Sequence, residues 1–223
     1  MFKKEKEMEN KLDLELLADF DEWRKITSLA DYALSEIETK ISIFSRDMDT
    51  IHKNPIEHVK RRIKKYVSVK EKLERKGYPV NMKSAVENID DIAGLRIVCP
   101  FESDILIVRQ YLEKLEREGS IKFVEVKDYI AKPKPNGYKS LHVIVKVPVK
   151  LFESTEWVTV EIQIRTVAMD FWACLEHKIL YKKDIVADEE LSNRLRNCAE
   201  MIALLDQEMF DINKELIKKN QAL

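Results

Sequence analysis

Apolar residues are spaced in two ways along this 223-residue chain, and the change of spacing marks a change of structure. Over residues 8–50 they recur at helical intervals, as in Leu29, Ala33, Ile37, Ile41 and Phe44, a stripe that faces a core. A second helix is predicted over 54–76. Asn54 fits the N-cap, Pro55 the first helical position and Gly77 the stop, around an apolar side of Ile56, Val59, Ile63, Val67 and Leu73. Beyond Gly77 the spacing shortens. Runs at 92–99, 121–126, 141–147 and 157–164 read as strands, while 103–117 (capped by Ser103), 167–181 and 189–216 read as helices. Strands interspersed with helices predict an α/β core. The expected organisation is a helical extension over 1–53, a central α/β domain over 54–185 and a C-terminal helix over 186–223.

The run 158–165 alternates strictly. Val158, Val160, Ile162 and Ile164 point one way, and Thr159, Glu161, Gln163 and Arg165 the other. The first set is core. The second is either solvent-facing surface or the floor of a polar cleft, and the strand alone leaves both open.

Composition narrows the class. A charged fraction of 35% suggests long exposed helices, and 39 basic against 40 acidic residues give no global support for a general nucleic-acid binder. Cys99, Cys174 and Cys198 are far apart and odd in number, which points to a reducing compartment without a disulfide framework. The N-terminus (MFKKEKEMEN) lacks the apolar run of a signal peptide. No stretch approaches the roughly 20 apolar residues that span a bilayer. A cytoplasmic protein with no membrane partner is expected.

The candidate chemistry lies in three places. Asp91 and Glu161 sit in or beside predicted strands. Read blandly they are two solvated acids; if their strands are neighbours, they suit Mg²⁺ shared with substrate phosphates. The loop 132–138 (KPKPNGY) is an exposed turn or a purine clamp, in which Tyr138 stacks on a base while Lys134 and Asn136 supply a cation and hydrogen bonds. The segment 60–76 carries Lys60, Arg61, Arg62, Lys64, Lys65, Lys70, Lys72, Arg75 and Lys76. This is a solvated face, a nucleotide phosphate site or an RNA footprint. Lys64, Ser68 and Lys72 follow at spacing four and would share one helix face, and Arg62 with Arg96 could hold an adenine between two guanidinium planes. His52 and His58 match no zinc spacing, and His142 alone is a candidate for the site. There is no P-loop and no GxGxxG, so nucleotide binding would need another scaffold.

Four segments in order, NPIEHVKRRIKKYVSVKEK, DIAGLRIVC, DYIAKPKPNGYKSLH and VEIQIRTVAMDFWACLEH, resemble the synthetase domain of the Rel/Spo family, and more narrowly the small alarmone synthetases. The resemblance runs from about Asn54 to Tyr181. It implies a mixed sheet flanked by helices, related to the nucleotidyltransferase fold. It implies transfer of the β,γ-pyrophosphate of ATP to the ribose 3′-hydroxyl of GDP or GTP, with release of AMP and with Mg²⁺ as cofactor. By position, Arg62 and Arg96 look like the adenine sandwich, and Lys64, Ser68 and Lys72 like ATP phosphate contacts. Asp91 looks like a Mg²⁺ ligand. Lys134, Asn136, Tyr138, His142 and Gln163 look like the guanine-nucleotide site. Glu161 resembles the catalytic acid residue, as general base or as metal ligand. The short flanks lead to the expectation of synthesis without hydrolysis. Small synthetases generally form homotetramers, and some bind product or RNA at a cleft between subunits; His58 departs from the aromatic residue of the product-activated members. Two other readings stay open: a related transferase with another acceptor, and a non-catalytic RNA- or nucleotide-binding module.

Overall fold

A computed structural model describes the backbone of residues 2–181 and 189–221, with side chains over 20–179 and 189–219. The expected boundary at 185/186 lies outside the described residues. In chain order the elements are α1 (Phe2–Thr50), β1 (His58–Ile63), α2 (Tyr66–Lys76), α3 (Met82–Asn88), β2 (Ala93–Cys99), α4 (Glu102–Arg117), β3 (Lys122–Asp128), β4 (Leu141–Lys150), β5 (Thr155–Thr166), α5 (Val167–Tyr181) and α6 (Glu189–Gln221). The strands form one sheet in the order β1-β2-β5-β4-β3. β2 and β5 run parallel and the other pairs antiparallel. This is the mixed sheet flanked by helices that the resemblance implies, and it contains the α/β core that the spacing predicts.

The helix expected over 54–76 is corrected. Its first half is strand β1, and helix begins only at Tyr66. Asn54 does not cap a helix; its Oδ1 accepts the Ile56 N–H at 3.0 Å in a turn. The misreading has a physical origin. Val59 and Ile63 are four apart, a spacing that serves a helix face and a strand face equally well. Pairing with β2 decides between them. α4 starts one residue before the predicted Ser103 cap, where the Asp104 carboxylate accepts the Phe101 N–H at 3.0 Å. α3 was not predicted; Asn81 caps it by accepting the Ser84 N–H at 2.8 Å.

Register sorts the sheet into layers. Leu95, Ile162 and Val143 lie side by side, as do Ile97, Ile164 and Leu141, and Ala93, Val160 and Val145. These rows are buried against Ala33, Leu34, Ile37 and Ile41 of α1 and Ile105, Val108 and Leu112 of α4. Phe44 of α1 stacks on Tyr111 of α4, and the Tyr111 hydroxyl donates to the Lys40 carbonyl at 3.1 Å. The second half of α1 therefore belongs to the core of the sheet domain rather than lying beside it. Among the described residues no helix is long and apolar enough to cross a membrane.

Candidate active site

The same register assembles the opposite, polar face. One row runs Lys60, Arg96, Gln163, His142 and Lys127, and the next Arg62, Gly94, Glu161, Ile144 and Glu125. Residues paired across strands share a face, so Arg62, Arg96, Glu161, Gln163 and His142 stand together. The polar side of the alternating strand is thus the floor of a cleft. That cleft, about 350 Å³, is bordered by Lys60, Arg62, Asp91, Gly94, Arg96 and Glu161. Arg62 and Arg96 are diagonal neighbours on β1 and β2, a Cα separation of about 7–8 Å. That is room for one planar ring at roughly 3.5–4 Å from each guanidinium.

The basic segment does not form one face. Lys60 and Arg62 point into the cleft, while Arg61 pairs with Asp31 (3.3 Å) and Glu38 (3.6 Å) of α1. Lys64, just past β1, and Lys72, on α2, reach Asp91 from two directions, at 2.7 Å to Oδ2 and 2.8 Å to Oδ1. Ser68 sits one turn before Lys72. The three do not share a helix face as expected, since Lys64 precedes α2, but both lysines converge on the predicted acid. Burial pushes the Asp91 carboxyl up, yet the hydrogen bonds and charges of Lys64 and Lys72 outweigh it and hold it below the usual carboxylate range.

Glu161 lies in a closed ring of hydrogen bonds. The Arg165 guanidinium donates to the Tyr138 hydroxyl at 2.5 Å, and that hydroxyl meets His142 Nε2 at 2.8 Å. His142 Nδ1 meets Glu161 Oε1 at 3.0 Å. The Gln163 amide donates to Glu161 Oε2 at 2.7 Å and accepts from Arg165 at 2.9 Å. With His142 neutral, one assignment satisfies every donor: Tyr138 donates to Nε2, and the Nδ1–H donates to the carboxylate. Burial raises the Glu161 carboxyl, Asp91 nearby adds to this, and the His142 hydrogen bond, the charge His142 carries when protonated and the Gln163 amide outweigh both, leaving it below the usual range.

Two members of this constellation had no role in the sequence reading. Arg165 is 4% exposed and Asp170, on α5, 7%. Arg165 was legible as part of the alternating face, but its burial came from α5 closing over the end of β5. Asp170 sits in an apolar helix where nothing marks it except being an acid among hydrophobic residues.

The loop 132–138 approaches from the other side. Its turn closes through the Gly137 N–H to the Lys134 carbonyl at 2.9 Å, with Gly137 at φ +90°, a conformation that favours glycine. Lys134 Nζ lies 4.7 Å from the Tyr129 ring centre and 4.8 Å from that of Tyr138. Burial and the neighbouring Arg165 and Lys72 pull its ammonium below the usual lysine range, against Glu161 and Glu176. Asn136 pins the loop: its amide donates to Glu176 of α5 at 3.0 Å and its Oδ1 accepts the Tyr138 N–H.

The donor set suits Mg²⁺. Asp91 and Glu161 are hard oxygen donors, both held ionised at one cleft. Among the described residues no group of three or more His, Cys, Asp or Glu is placed to hold a metal ion.

A sheet face of this kind, with arginines, lysines, two carboxylates and a tyrosine loop, has the charge pattern that suits a phosphorylated substrate. The sequence matches the family described as "Region found in RelA / SpoT proteins" over residues 61–186. It is 46% identical to the GTP pyrophosphokinase YwaC of Bacillus subtilis over 88% of this chain and 92% of that protein. The fold is similar to small alarmone synthetase 1 of B. subtilis bound to its product pppGpp, at TM-score 0.81 and 35% identity over 88% of this chain and 99% of that one. The same synthetase bound to AMPCPP aligns at TM-score 0.75 and 33% identity, over 89% and 99%. The chain belongs to the RelA/SpoT family.

Proposed function

We propose that the protein is a GTP pyrophosphokinase. It transfers the β,γ-pyrophosphate of ATP to the 3′-hydroxyl of GDP or GTP, releases AMP and makes a guanosine tetra- or pentaphosphate. The observation that carries this reading is the division of labour within one cleft. A pair of arginines and two lysines stand on the β1–β2–α2 side, a tyrosine loop stands on the β4–α5 side, and two ionised carboxylates lie between.

Arg62 and Arg96 sandwich the adenine, and Lys64, Ser68 and Lys72 contact its phosphates. Tyr138, Lys134, Asn136, His142 and Gln163 take the guanine nucleotide. Asp91 and Glu161 would hold Mg²⁺, which would supply neutralisation of charge on the transferred pyrophosphate. Phosphoryl-type transfer rests mainly on alignment and charge neutralisation, and the residues here supply both. The depressed Glu161 carboxyl suits a ligand and an aligning acceptor for the 3′-hydroxyl better than a strong base. AMPCPP bound to a similar synthetase is consistent with an ATP site of this kind.

Self-association, with a homotetramer as the expected form, draws support from the exposed apolar residues of α5 and α6. Phe171, Leu175 and Ile179 are joined there by Met201, Leu204, Leu205, Met209, Ile212 and Leu216. Light scattering giving a monomer mass would remove it. The RNA-binding alternative keeps a smaller footprint: Lys60, Arg61, Arg62, Lys64 and Lys72 are taken up by the cleft, α1 and Asp91, while Lys65, Lys70, Arg75 and Lys76 stay exposed on or beside α2.

The test is separation of nucleotides after mixing the protein with Mg²⁺, ATP, and GDP or GTP. AMP formed in step with the guanosine tetra- or pentaphosphate is the expected result. No product with either acceptor from a folded protein would overturn the proposal. Synthesis without hydrolysis predicts that added tetraphosphate survives incubation with Mn²⁺.

A further inference from the structure

The two nucleotide sides of the cleft meet at a single carboxylate oxygen. Asp170 Oδ1 is 3.1 Å from Arg96 Nη1 and 3.2 Å from Arg165 Nη1. Arg96 lines the adenine side. Arg165 holds the Tyr138 hydroxyl and the Gln163 carbonyl on the guanine side, at 2.5 and 2.9 Å, and its guanidinium lies 5.0 Å from the Tyr138 ring centre. Asp170 is buried, and its other oxygen faces the Cys174 thiol at 3.7 Å.

Arg96 is not at its optimum here. Its Nε is buried and has no hydrogen-bond partner among the described residues. A buried donor left unmade is costly, so the side chain gains by shifting once a ligand supplies an acceptor or a stacking surface. Any such shift pulls on Asp170, and Asp170 is shared. A buried acid between two guanidinium groups cannot strengthen one contact without altering the other.

We infer that Asp170 is a positioning residue that couples the two nucleotide sites. Occupation of the adenine side re-seats Arg96 on Asp170, and this fixes Arg165 and with it Tyr138 and Gln163. The inference rests on the proposed function, since it takes the two sides of the cleft to be the ATP and guanine-nucleotide sites. It goes beyond that reading by assigning a role to an α5 residue that the proposed function leaves without one.

The coupling is measured by calorimetry on the full chain with Mg²⁺. GDP is titrated with and without saturating AMPCPP, whose methylene bridge replaces the bond that would be cleaved. The reverse pair of titrations follows. In the wild type, AMPCPP tightens GDP by at least about fivefold, and GDP tightens AMPCPP by the same factor, because coupling is reciprocal. In Asp170→Asn each nucleotide alone binds within about threefold of wild type while the coupling factor falls to near one in both directions. A merely structural loss would weaken the single affinities and leave the ratio in place. Should Asp170→Asn fail to fold, Asp170→Glu serves instead. It keeps the charge but displaces the shared oxygen by one methylene, and the coupling factor falls while each nucleotide alone still binds. Coupling that survives in a folded variant overturns the inference, as does a wild type that binds both nucleotides independently. A wild type that binds neither overturns the proposed function together with it.

Discussion

Asp91 and Glu161 border the same cleft, and both carboxyls lie below the ordinary range, but different neighbours hold them there. Around Asp91 the stabilising groups are two ammonium ions, Lys64 and Lys72, on flexible stems. Around Glu161 they are an imidazole and an amide, each locked in turn by Tyr138 and Arg165. Ammonium groups are point charges that can swing from a carboxylate to a phosphate as one arrives. A ring of directed hydrogen bonds cannot reorganise without breaking several at once. Under the proposed function the Asp91 side suits exchange of partners, and the Glu161 side a fixed geometry of the preorganised kind.

The largest predicted effects test that contrast directly. Glu161→Gln keeps the shape of the side chain but removes its charge, and turnover should fall by roughly a thousandfold or more, the scale of a group aligned with the reacting atoms. Extra Mg²⁺ should restore only the part of the loss that comes from weakened metal binding, the smaller part if alignment is the main role of Glu161. Asp91→Asn should also cripple the enzyme, by on the order of a hundredfold at ordinary Mg²⁺, with partial recovery as the metal is raised. Steady-state rates across a Mg²⁺ series decide this, and equal behaviour of the two variants would erase the distinction. Next in size is Lys72→Met, with Lys64→Met beside it. Each removes a charged contact worth about 1.5–3 kcal/mol, so KM for ATP should rise roughly tenfold or more with KM for GDP nearly unchanged. A rise in the GDP constant instead would mean that the lysines serve the acceptor.

The contrast also shows what could be read from the chain alone. The Glu161 side is legible only in its local part: strict alternation over 158–165 puts Glu161, Gln163 and Arg165 on one face and leaves open whether that face is solvent or cleft, while His142 and Tyr138 join them only through the pairing of β4 with β5. The Asp91 side was only half legible. Lys64 and Lys72 are read from the sequence as phosphate contacts on one face of a continuous helix; that helix does not exist, and their ion pairs with Asp91 are not read at all. The real link is non-local: strand β1 pairs with β2, and the chain turns back into α2 above Asp91. Spacing four fits both periods, and only pairing energy separates them. Asp170 lay beyond reach for the same reason, since its partners Arg96 and Arg165 come from two different strands.

A smaller effect is expected where the loop 132–138 meets α6. Gly137 has φ +90°, and a Cβ built there would stand 2.6 Å from the Ala199 Cβ. Gly137→Ala therefore forces both an unfavourable backbone conformation, about 1–2 kcal/mol, and a displacement of the loop from α6. Thermal unfolding should show a modest loss. KM for GDP should rise, and KM for ATP should hold, because Asp91, Lys64 and Lys72 lie on the other side. An equal change in both constants would show that the loop and the lysine side do not act separately.

The smallest predicted effect is on the pH dependence of stability, and it returns to the two carboxyls. Both have folded values depressed below those of the unfolded chain, which lie near 4. The unfolded state then binds more protons through that region. The stabilisation each group provides is complete above the unfolded value and is lost as pH falls through the folded one. Asp206, held by Thr166 at 2.6 Å, works the other way: burial raises its carboxyl above the ordinary range, so its contribution fades as pH climbs through the folded value. Melting curves from pH 7 down to pH 3 should therefore fall less steeply for Asp91→Asn than for wild type, and more steeply for Asp206→Asn. If Asp91→Asn fell as steeply as wild type, the two lysines would not be stabilising an ionised Asp91, and the exchange of partners inferred for that side of the cleft would lose its basis.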